Sequence, residues 1–385
     1  MEVCEKVCEA KVSWDDLNIK HDLLRGIYSY GFENPSTIQS LTCVPFAEGR
    51  DLLAQAQSGT GKTGAFVIGA LNKITCDKTQ CLIIAPTREL AIQIDDVQKN
   101  IGVSMKNLQT KLLIGGHSSD GDIYEIRRNT PHLIIGTPGR IYEMFKKNII
   151  RYQDIDIVIL DEADEMFSYG FKDQIQDIFH FLRKDVQIAL FSATLPENVV
   201  QITKSLLKDP VNITMKAEEL VLDGIKQFYV VLDDDKQKFA TLQDLFDRLT
   251  ISQTIIYCNS VSRVVDLYNA MKADGFAVCC VHSNMEKDER NHSFNEFKNG
   301  KFRVLISSNV TSRGIDIQQV NIVINFDLPK DPHTYLHRIG RSGRWGRKGV
   351  GINFVTQRDV SILKSIEEHY SNRMEELPND FDKII

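Results

Sequence analysis

Two short stretches of this chain carry residue types and spacings suited to phosphate chemistry. The first is Ala56-Gln57-Ser58-Gly59-Thr60-Gly61-Lys62-Thr63, which follows the apolar run 51–55 and opens the amphipathic stretch 63–74. A glycine loop between a strand and a helix aims successive backbone N–H groups at an anion on the helix N-terminus. The lysine that closes such a loop reaches the outer phosphates, and the hydroxyl after it is a ligand for Mg²⁺. The loop starts on Ala56 where the strict pattern has glycine. A plain surface turn is the competing reading, and the strand–loop–helix setting argues against it. The second stretch is Asp161-Glu162-Ala163-Asp164, directly behind the apolar run 156–160. Carboxylates at the carboxyl end of a parallel strand face the ligand crevice. In that setting Asp161 holds Mg²⁺ through water, and Glu162 orients or deprotonates an attacking water. An acidic helix start explains acids at this place, but not acids immediately behind a buried strand in a chain that also has a phosphate loop.

The elements that must hold these groups are legible as short apolar runs separated by longer helical stretches. Runs lie at 81–85, 132–136, 156–160 and 187–191 in the first half, and at 254–258, 277–281, 303–307, 321–325 and 351–355 in the second. They are too short for buried helices and rich in Val and Ile, which marks strands covered on both faces. Strands alternating with helical segments build parallel sheets from βαβ units. The expectation is therefore α/β, with two similar domains: residues 1–213, a charged connection at 214–224 within the stretch that follows Asp209-Pro210, and residues 225–385.

Length and composition agree with two ordinary globular domains, at 385 residues, 42% hydrophobic and 25% charged. The net charge of −6 argues weakly against a nucleic-acid partner, so any such site must be a local basic patch. The first ten residues contain no apolar core of a secretory signal, and no apolar run approaches membrane-spanning length. Eight scattered cysteines have no paired metal spacing. Cys81, Cys258 and Cys279 lie in apolar runs and read as small core residues, which suits a reducing, intracellular compartment.

With these motifs in place the chain resembles the DEAD-box RNA helicases. Lys62 and Asp161-Glu162-Ala163-Asp164 match that family's two ATP motifs, and the others follow in order. They are Pro86-Thr87-Arg88-Glu89-Leu90-Ala91, Gly115-Gly116, Thr137-Pro138-Gly139-Arg140, Ser192-Ala193-Thr194, Ser312-Arg313-Gly314-Ile315-Asp316, and His337 to Arg344; upstream lies the family's own element, Gly31 to Gln39. The match runs from residue 14 to 385. The resemblance implies two tandem RecA-like domains of the P-loop NTPase type, ATP and Mg²⁺ as cofactors, and RNA as partner. Within the family the stretches 54–63, 161–166, 170–175 and 346–356 resemble the translation initiation factor 4A branch. That branch implies mRNA, cytoplasmic work, and a monomer acting with a scaffold such as initiation factor 4G. Other branches act in the exon junction complex and in ribosomal RNA processing, in the nucleus.

The resemblance also implies roles. Phe32 stacks on adenine and Gln39 reads its edge, as an amide can pair with N6 and N7 together. Ser58, Gly59, Thr60, Gly61, Lys62 and Thr63 hold the phosphates and metal, and Asp316 the ribose. Asp161 and Glu162 join Arg341 and Arg344, which stabilise the transferred phosphoryl group. Asp164, Ser192, Thr194 and His337 couple nucleotide state to closure of the two domains on RNA. RNA backbone contacts come from Pro86, Thr87, Arg88, Gly116, Thr137 and Arg140 in the first domain, and from Asn259, Ser260, Arg290 and Ser308 in the second. Arg338, Arg341, Arg344 and Arg347 recur every third residue with Gly340, Gly343 and Gly346 between them, which reads as a loop presenting guanidiniums to phosphate.

The chain departs from the family pattern at a few places. Trp14 stands where the family usually has Phe, Val261-Ser262 replaces two arginines, Lys287 a Gln, Asn309 an Asp, and Ser283-Asn284 a Gly-Asp pair. All but Trp14 fall in the second domain. Two rival readings remain at this level: a non-catalytic ATP-dependent RNA clamp, and a P-loop kinase or small-molecule ATPase. The second leaves the RNA-facing motifs and the second domain unexplained.

Overall fold

The computed structural model describes residues 13–56, 60–116, 118–168, 170–215, 225–248, 253–309, 320–342, 349–370, 372–378 and 381. The chain divides into two compact units, Met1–Met215 and Lys216–Ile385.

Unit 1 is built on a seven-stranded sheet. Its strands are β1 (Leu52–Gln55), β2 (Cys81–Ile84), β3 (Thr110–Leu113), β4 (Leu133–Gly136), β5 (Ile157–Leu160), β6 (Gln187–Ser192) and β7 (Val211–Thr214). Their order across the sheet is β3-β4-β2-β5-β6-β1-β7, and every pairing is parallel. A parallel sheet needs helices on both faces, so its inner strands are apolar throughout. The side chains sort by alternation: Cys81 and Ile83 of β2, with Ile157 and Ile159 of β5, enter one core. Leu82, Ile84, Val158 and Leu160 enter the core on the other face.

Unit 2 repeats this plan. Its strands are β8 (Ile225–Leu232), β9 (Thr254–Tyr257), β10 (Val278–Val281), β11 (Val304–Ser307), β12 (Ile322–Asn325), β13 (Gly349–Thr356) and β14 (Glu375–Glu376). The order β10-β11-β9-β12-β13-β8-β14 is that of unit 1 with each strand number raised by seven. Ile256, Ile306 and Ile324 line one core; Ile255, Leu305 and Val323 line the other. Two units with one topology and no visible sequence repeat indicate that the strand order, and with it the crevice at the carboxyl edge, is what the two halves share.

Ten of these strands fall on the apolar runs. The sequence does not announce β3, β7, β8 and β14. β3 and β7 are edge strands with half-exposed, polar-containing patterns, and an edge strand has only one neighbour to bury it. Of the connection expected at 214–224, residues 216–224 lie outside the described residues; β8 begins directly behind it, with Ile225 paired to Gly349. Thr214 is still the last residue of β7. Cys81, Cys258 and Cys279 are buried and unpaired. No helix among the described residues is long and apolar enough to cross a membrane.

Candidate nucleotide-binding site

The carboxyl edge of the unit 1 sheet is divided between two kinds of loop. The phosphate loop follows β1, the acidic loop follows β5, and Ser192-Ala193-Thr194 ends β6; these three strands are adjacent. The remaining loops, at 85–88, 114–118 and 137–140, follow β2, β3 and β4, which occupy the other half of the sheet.

Ser58 and Gly59 lie outside the described residues, while Thr60 and Gly61 lead into the helix Lys62–Lys73. Gly61 caps that helix in a left-handed conformation with φ of 97°. Its position is doubly restricted, because an added Cβ would meet Ser36 Oγ at 2.8 Å and Gln39 Nε2 at 2.9 Å. Gly64 faces the same element: its Cβ would come within 2.6 Å of Gln39 Nε2 and 2.9 Å of Phe32. The segment 31–39 therefore closes directly on the phosphate loop. Gln39 takes part in a capping box, accepting from the Ser36 backbone N–H at 2.8 Å, and it donates from Nε2 to the Gly61 carbonyl at 3.3 Å. Each side-chain amide has two acceptor and two donor sites, so Gln39 keeps one of each. Phe32 is half-buried beside Tyr30 and Trp14.

Lys62 and Glu162 form a buried ion pair, Nζ to Oε1 at 3.3 Å. The second Glu162 oxygen is buried without a hydrogen-bond partner. Glu162 itself holds a left-handed backbone conformation, φ 48°, which a non-glycine residue adopts at a cost and which turns its carboxylate back across the strand end. Burial, then the adjacent Glu162 charge, pushes the Asp161 carboxyl up to about 7. Asp161 and Glu162 thus share one buried ammonium, Lys62, and Asp164 is a third carboxylate close to Asp161. The orphaned Glu162 oxygen, the raised Asp161 and the half-buried Thr63 hydroxyl form an all-oxygen donor set that fits a hard cation such as Mg²⁺. Among the described residues no three His, Cys, Asp or Glu side chains form a metal cage; Mg²⁺ bound through waters and substrate phosphates needs none. Asp164 is wired to the end of β6. Thr194 Oγ1 donates to Asp164 Oδ2 at 2.6 Å, the Asp164 N–H donates to Ser192 Oγ at 3.3 Å, and Ser192 Oγ–H donates to the Thr194 carbonyl at 2.6 Å.

On the other half of the edge Pro86 is buried, and Thr87 caps the helix Arg88–Ile101 by accepting from the Leu90 N–H at 3.2 Å. The Arg88 guanidinium lies over Gly115, where a Cβ would meet it at 2.8 Å. Gly116 takes a φ of 88°, and Thr137 is half-exposed at the start of the helix Pro138–Lys146. Arg140 differs from the open phosphate contact the motif suggests. It is buried, with Nη1 3.6 Å from Asp122 and 3.4 Å from Glu143. The capping box was readable in the order Ser36 to Gln39; Asp122 carried no signal, because it sits in an acidic helix start that looks solvated.

In unit 2, Asn259 and Ser260 follow β9 and Ser308 follows β11, an adjacent strand. Asn259 donates to the Leu328 carbonyl at 2.9 Å. Ser260 caps the helix Val261–Ala273, and Ser308 Oγ is buried without a partner. Arg290 is half-buried on the helix Lys287–Lys298, one turn from Lys287. The run of arginines is not a loop at its start: Arg338 is in the helix Pro332–Ile339 and fully buried, and three adjacent glycine spacers do not prevent a helix that ends before the first of them. His337 and Arg341 are also buried, with Arg341 Nε donating to the His337 carbonyl at 3.2 Å. Asp316 and Arg344 lie outside the described residues.

A phosphate loop, an acidic strand end and a wired β6 terminus on a parallel sheet, followed by a second unit of the same topology, define a two-domain helicase. The DEAD/DEAH box helicase model matches residues 36–202 and the helicase conserved C-terminal domain matches 237–346. The chain belongs to this family, the DEAD-box ATP-dependent RNA helicases. It is similar to eukaryotic initiation factor 4A of Drosophila melanogaster, 48% identical over 97% of this chain and 93% of that protein. It is also similar to ATP-dependent RNA helicase FAL1 of Candida albicans, 47% identical over 97% of this chain and 94% of that one. Among solved structures, S. cerevisiae Dbp5 bound to RNA and ADP BeF3 superposes with a TM-score of 0.89 at 35% identity, covering 97% of this chain and 98% of that one.

Proposed function

We propose that this ATP-dependent RNA helicase grips single-stranded RNA through its backbone, without strong sequence preference, and opens short duplexes in the 5′ structure of mRNA during translation initiation. The observation that carries the reading is the divided edge of unit 1. Three adjacent strands end in loops suited to Mg·ATP, and the next three end in hydroxyls, glycines and an arginine suited to phosphodiester. In this reading Lys62, Thr60, Gly61 and Thr63, with Ser58 and Gly59, hold the triphosphate. Phe32 and Gln39 take adenine, and Asp316 takes the ribose. Asp161 and Thr63 hold Mg²⁺, which when bound lowers the charge on the transferring phosphoryl group. Glu162 orients the attacking water, Arg341 and Arg344 stabilise the phosphoryl charge, and the Asp164–Thr194–Ser192 network, with His337, reports the state of the nucleotide to the RNA loops.

The partners of this reading are RNA and a scaffold of the initiation factor 4G kind, with the chain as a cytoplasmic monomer. The near-equal identity to FAL1 supports a second reading, in which the same enzyme remodels RNA in another process such as splicing or ribosomal RNA maturation. Phosphate release with and without poly-U and mixed-sequence RNA tests the enzymatic reading; a rate indifferent to RNA overturns it. Recovery of associated proteins from cells under ATP-analogue conditions separates the two processes: initiation scaffold in one case, nuclear assembly factors in the other.

A further inference from the structure

Arg338 is a charged side chain buried in unit 2 with no exposed surface. A guanidinium has five N–H donors, and here all five have partners. Nε donates to Asn309 Oδ1 at 2.8 Å, and Nη2 donates to the same oxygen at 2.6 Å and to Asn259 Oδ1 at 2.8 Å. Nη1 donates to Asn325 Oδ1 at 3.0 Å and to the Asp327 backbone carbonyl at 2.7 Å. Every acceptor is a neutral oxygen, and the cation also lies 5.1 Å above the Tyr257 ring. Burial pulls the guanidinium down to about 10, against the opposite pull of Asp327 and Asp331.

The carboxylates nearest this group are committed elsewhere. Asp327 accepts Lys238 at 3.1 Å and Arg263 at 2.8 Å, and Asp235 accepts the same two at 2.9 and 3.3 Å. Asp331, the other carboxylate that acts on the guanidinium, accepts from the Thr334 N–H at 3.1 Å, so no carboxylate among the described residues bonds Arg338 and its positive charge has no direct counter-ion. That charge sits directly beneath the rim formed by Asn259 and Asn309, both of which bond it. Beside Asn309, Ser308 Oγ is buried with no partner, and this orphaned hydroxyl lies at the end of β11 next to the end of β9.

We propose that Asn309 keeps Arg338 as a buried cation with no direct counter-ion, whose field, together with the Ser308 hydroxyl, holds an RNA backbone phosphate at the β9–β11 edge of unit 2. Residue 309 is then an affinity-setting position. The amide saturates the guanidinium donors without cancelling the charge, whereas a carboxylate of the same size, the residue usual in the family, makes the bidentate charge-assisted pair and neutralises the guanidinium. This also accounts for the absence of arginines at Val261 and Ser262: the positive charge is supplied from below the surface and not from it. The proposal rests on RNA binding as read above.

The test is Asn309→Asp in the full chain, a near-isosteric change. Affinity for single-stranded poly-U is measured with a saturating non-hydrolysable ATP analogue across a salt series, alongside thermal unfolding of the free protein. The expected result is a loss of RNA affinity of about three-fold or more near 0.1 M salt, the order of one charge acting across several ångströms of partly aqueous dielectric. The log–log salt slope should fall by up to about 0.7, and the midpoint of unfolding should rise because a buried cation gains its counter-ion. Unchanged or tighter RNA binding overturns the proposal, whatever happens to stability. Weaker binding without a rise in stability also overturns it, since the amide itself is then the contact. If the parent protein fails to bind RNA at all, it is the functional reading that falls.

Discussion

The indole N–H of Trp14 donates to the backbone carbonyl of Phe32 at 3.0 Å, and the two rings lie 16° from parallel with centroids 6.4 Å apart. Trp14 is fully buried, so the bond anchors the half-buried Phe32 to the core behind it. A phenylalanine at position 14, the residue usual in the family, keeps the ring contact but has no donor. Trp14→Phe should therefore loosen Phe32 without touching the phosphate end of the site. A net hydrogen bond of about 0.5–1.5 kcal/mol predicts a two- to ten-fold rise in KM for ATP with kcat unchanged. A steady-state comparison in saturating RNA checks it; equal KM values would show that Phe32 is held by packing alone.

Gln39 has two jobs that its contacts separate. Through Ser36 and Gly61 it braces the phosphate loop, and in the proposed reading its remaining donor and acceptor select adenine. Gln39→Ala should weaken ATP and GTP together, by loosening the loop, and should also erase the preference for ATP. A site built to pair an amide rejects the mismatched base at roughly 1–3 kcal/mol. Ser36→Ala is the control, because it leaves the Gln39 amide in place. If Gln39→Ala lowers turnover of both nucleotides by the same factor, Gln39 is a brace only.

The Lys62–Glu162 pair makes opposite predictions for its two members. Glu162→Gln removes the carboxylate that occupies Lys62 while leaving an oxygen of similar size. ATP affinity should hold or improve, while hydrolysis falls by about 10²–10⁴, the usual contribution of general-base catalysis. Lys62→Ala strands a buried Glu162 and removes the phosphate contact, so nucleotide binding itself should fail. Titration of a fluorescent ATP analogue against both variants checks the split. Loss of binding in Glu162→Gln would remove that residue from the water step.

Asp161 gives a pH signature in the ligand-free protein. Its folded pKa of about 7 lies above the ordinary carboxylate value near 4. The stability this group contributes is full below that ordinary value and is lost as pH rises towards 7, because the unfolded chain ionises first. Asn cannot ionise, so Asp161→Asn should unfold at a higher temperature than the parent, with a gap that widens from pH 5 to pH 7.5. Calorimetry without nucleotide or divalent cation is the measurement. A gap independent of pH would place the strain elsewhere, for example in the Glu162 backbone.

The sequence discloses the inner strands, because a strand covered on both faces must be apolar along its whole length, as at 81–84 and 157–160. It discloses the ligand-facing loops for a related reason: glycines, carboxylates and hydroxyls directly behind such runs have no role in a core. The edge strands Thr110–Leu113 and Val211–Thr214 stay hidden because one face or one edge of each meets water, and their composition follows. Interior charge is hidden too. Nothing local to Arg338 marks it as buried, since the acceptors that make burial tolerable, Asn259, Asn309 and Asn325, come from three separate strand ends. Only the strand order brings them together.

Arg140 poses the same question as Arg338 with the opposite balance. The Thr137–Arg140 motif suggests a guanidinium open to RNA phosphate, yet Arg140 is buried against Asp122 and Glu143, and Lys111 lies 3.0 Å from Asp122 on the other side. Two cations thus hold one buried carboxylate between β3 and the helices Ser119–Arg128 and Pro138–Lys146, beneath the loops at Gly116 and Thr137. This geometry makes Arg140 a brace for those loops, which in the proposed reading leaves RNA to their backbone and hydroxyls. Removing one partner of a buried pair costs about 3–5 kcal/mol when the other is left uncompensated; Lys111 remains, so Arg140→Ala should cost towards the lower end. The salt dependence of RNA affinity separates brace from contact. A lost phosphate contact lowers the log–log slope by about 0.7, whereas a lost brace weakens RNA binding at every salt concentration with the slope intact and lowers the unfolding midpoint. The double variant Asp122→Asn with Arg140→Gln, which removes both charges, should recover much of the stability if the pair is a brace. A full drop in slope with no change in the unfolding midpoint would return Arg140 to the RNA surface.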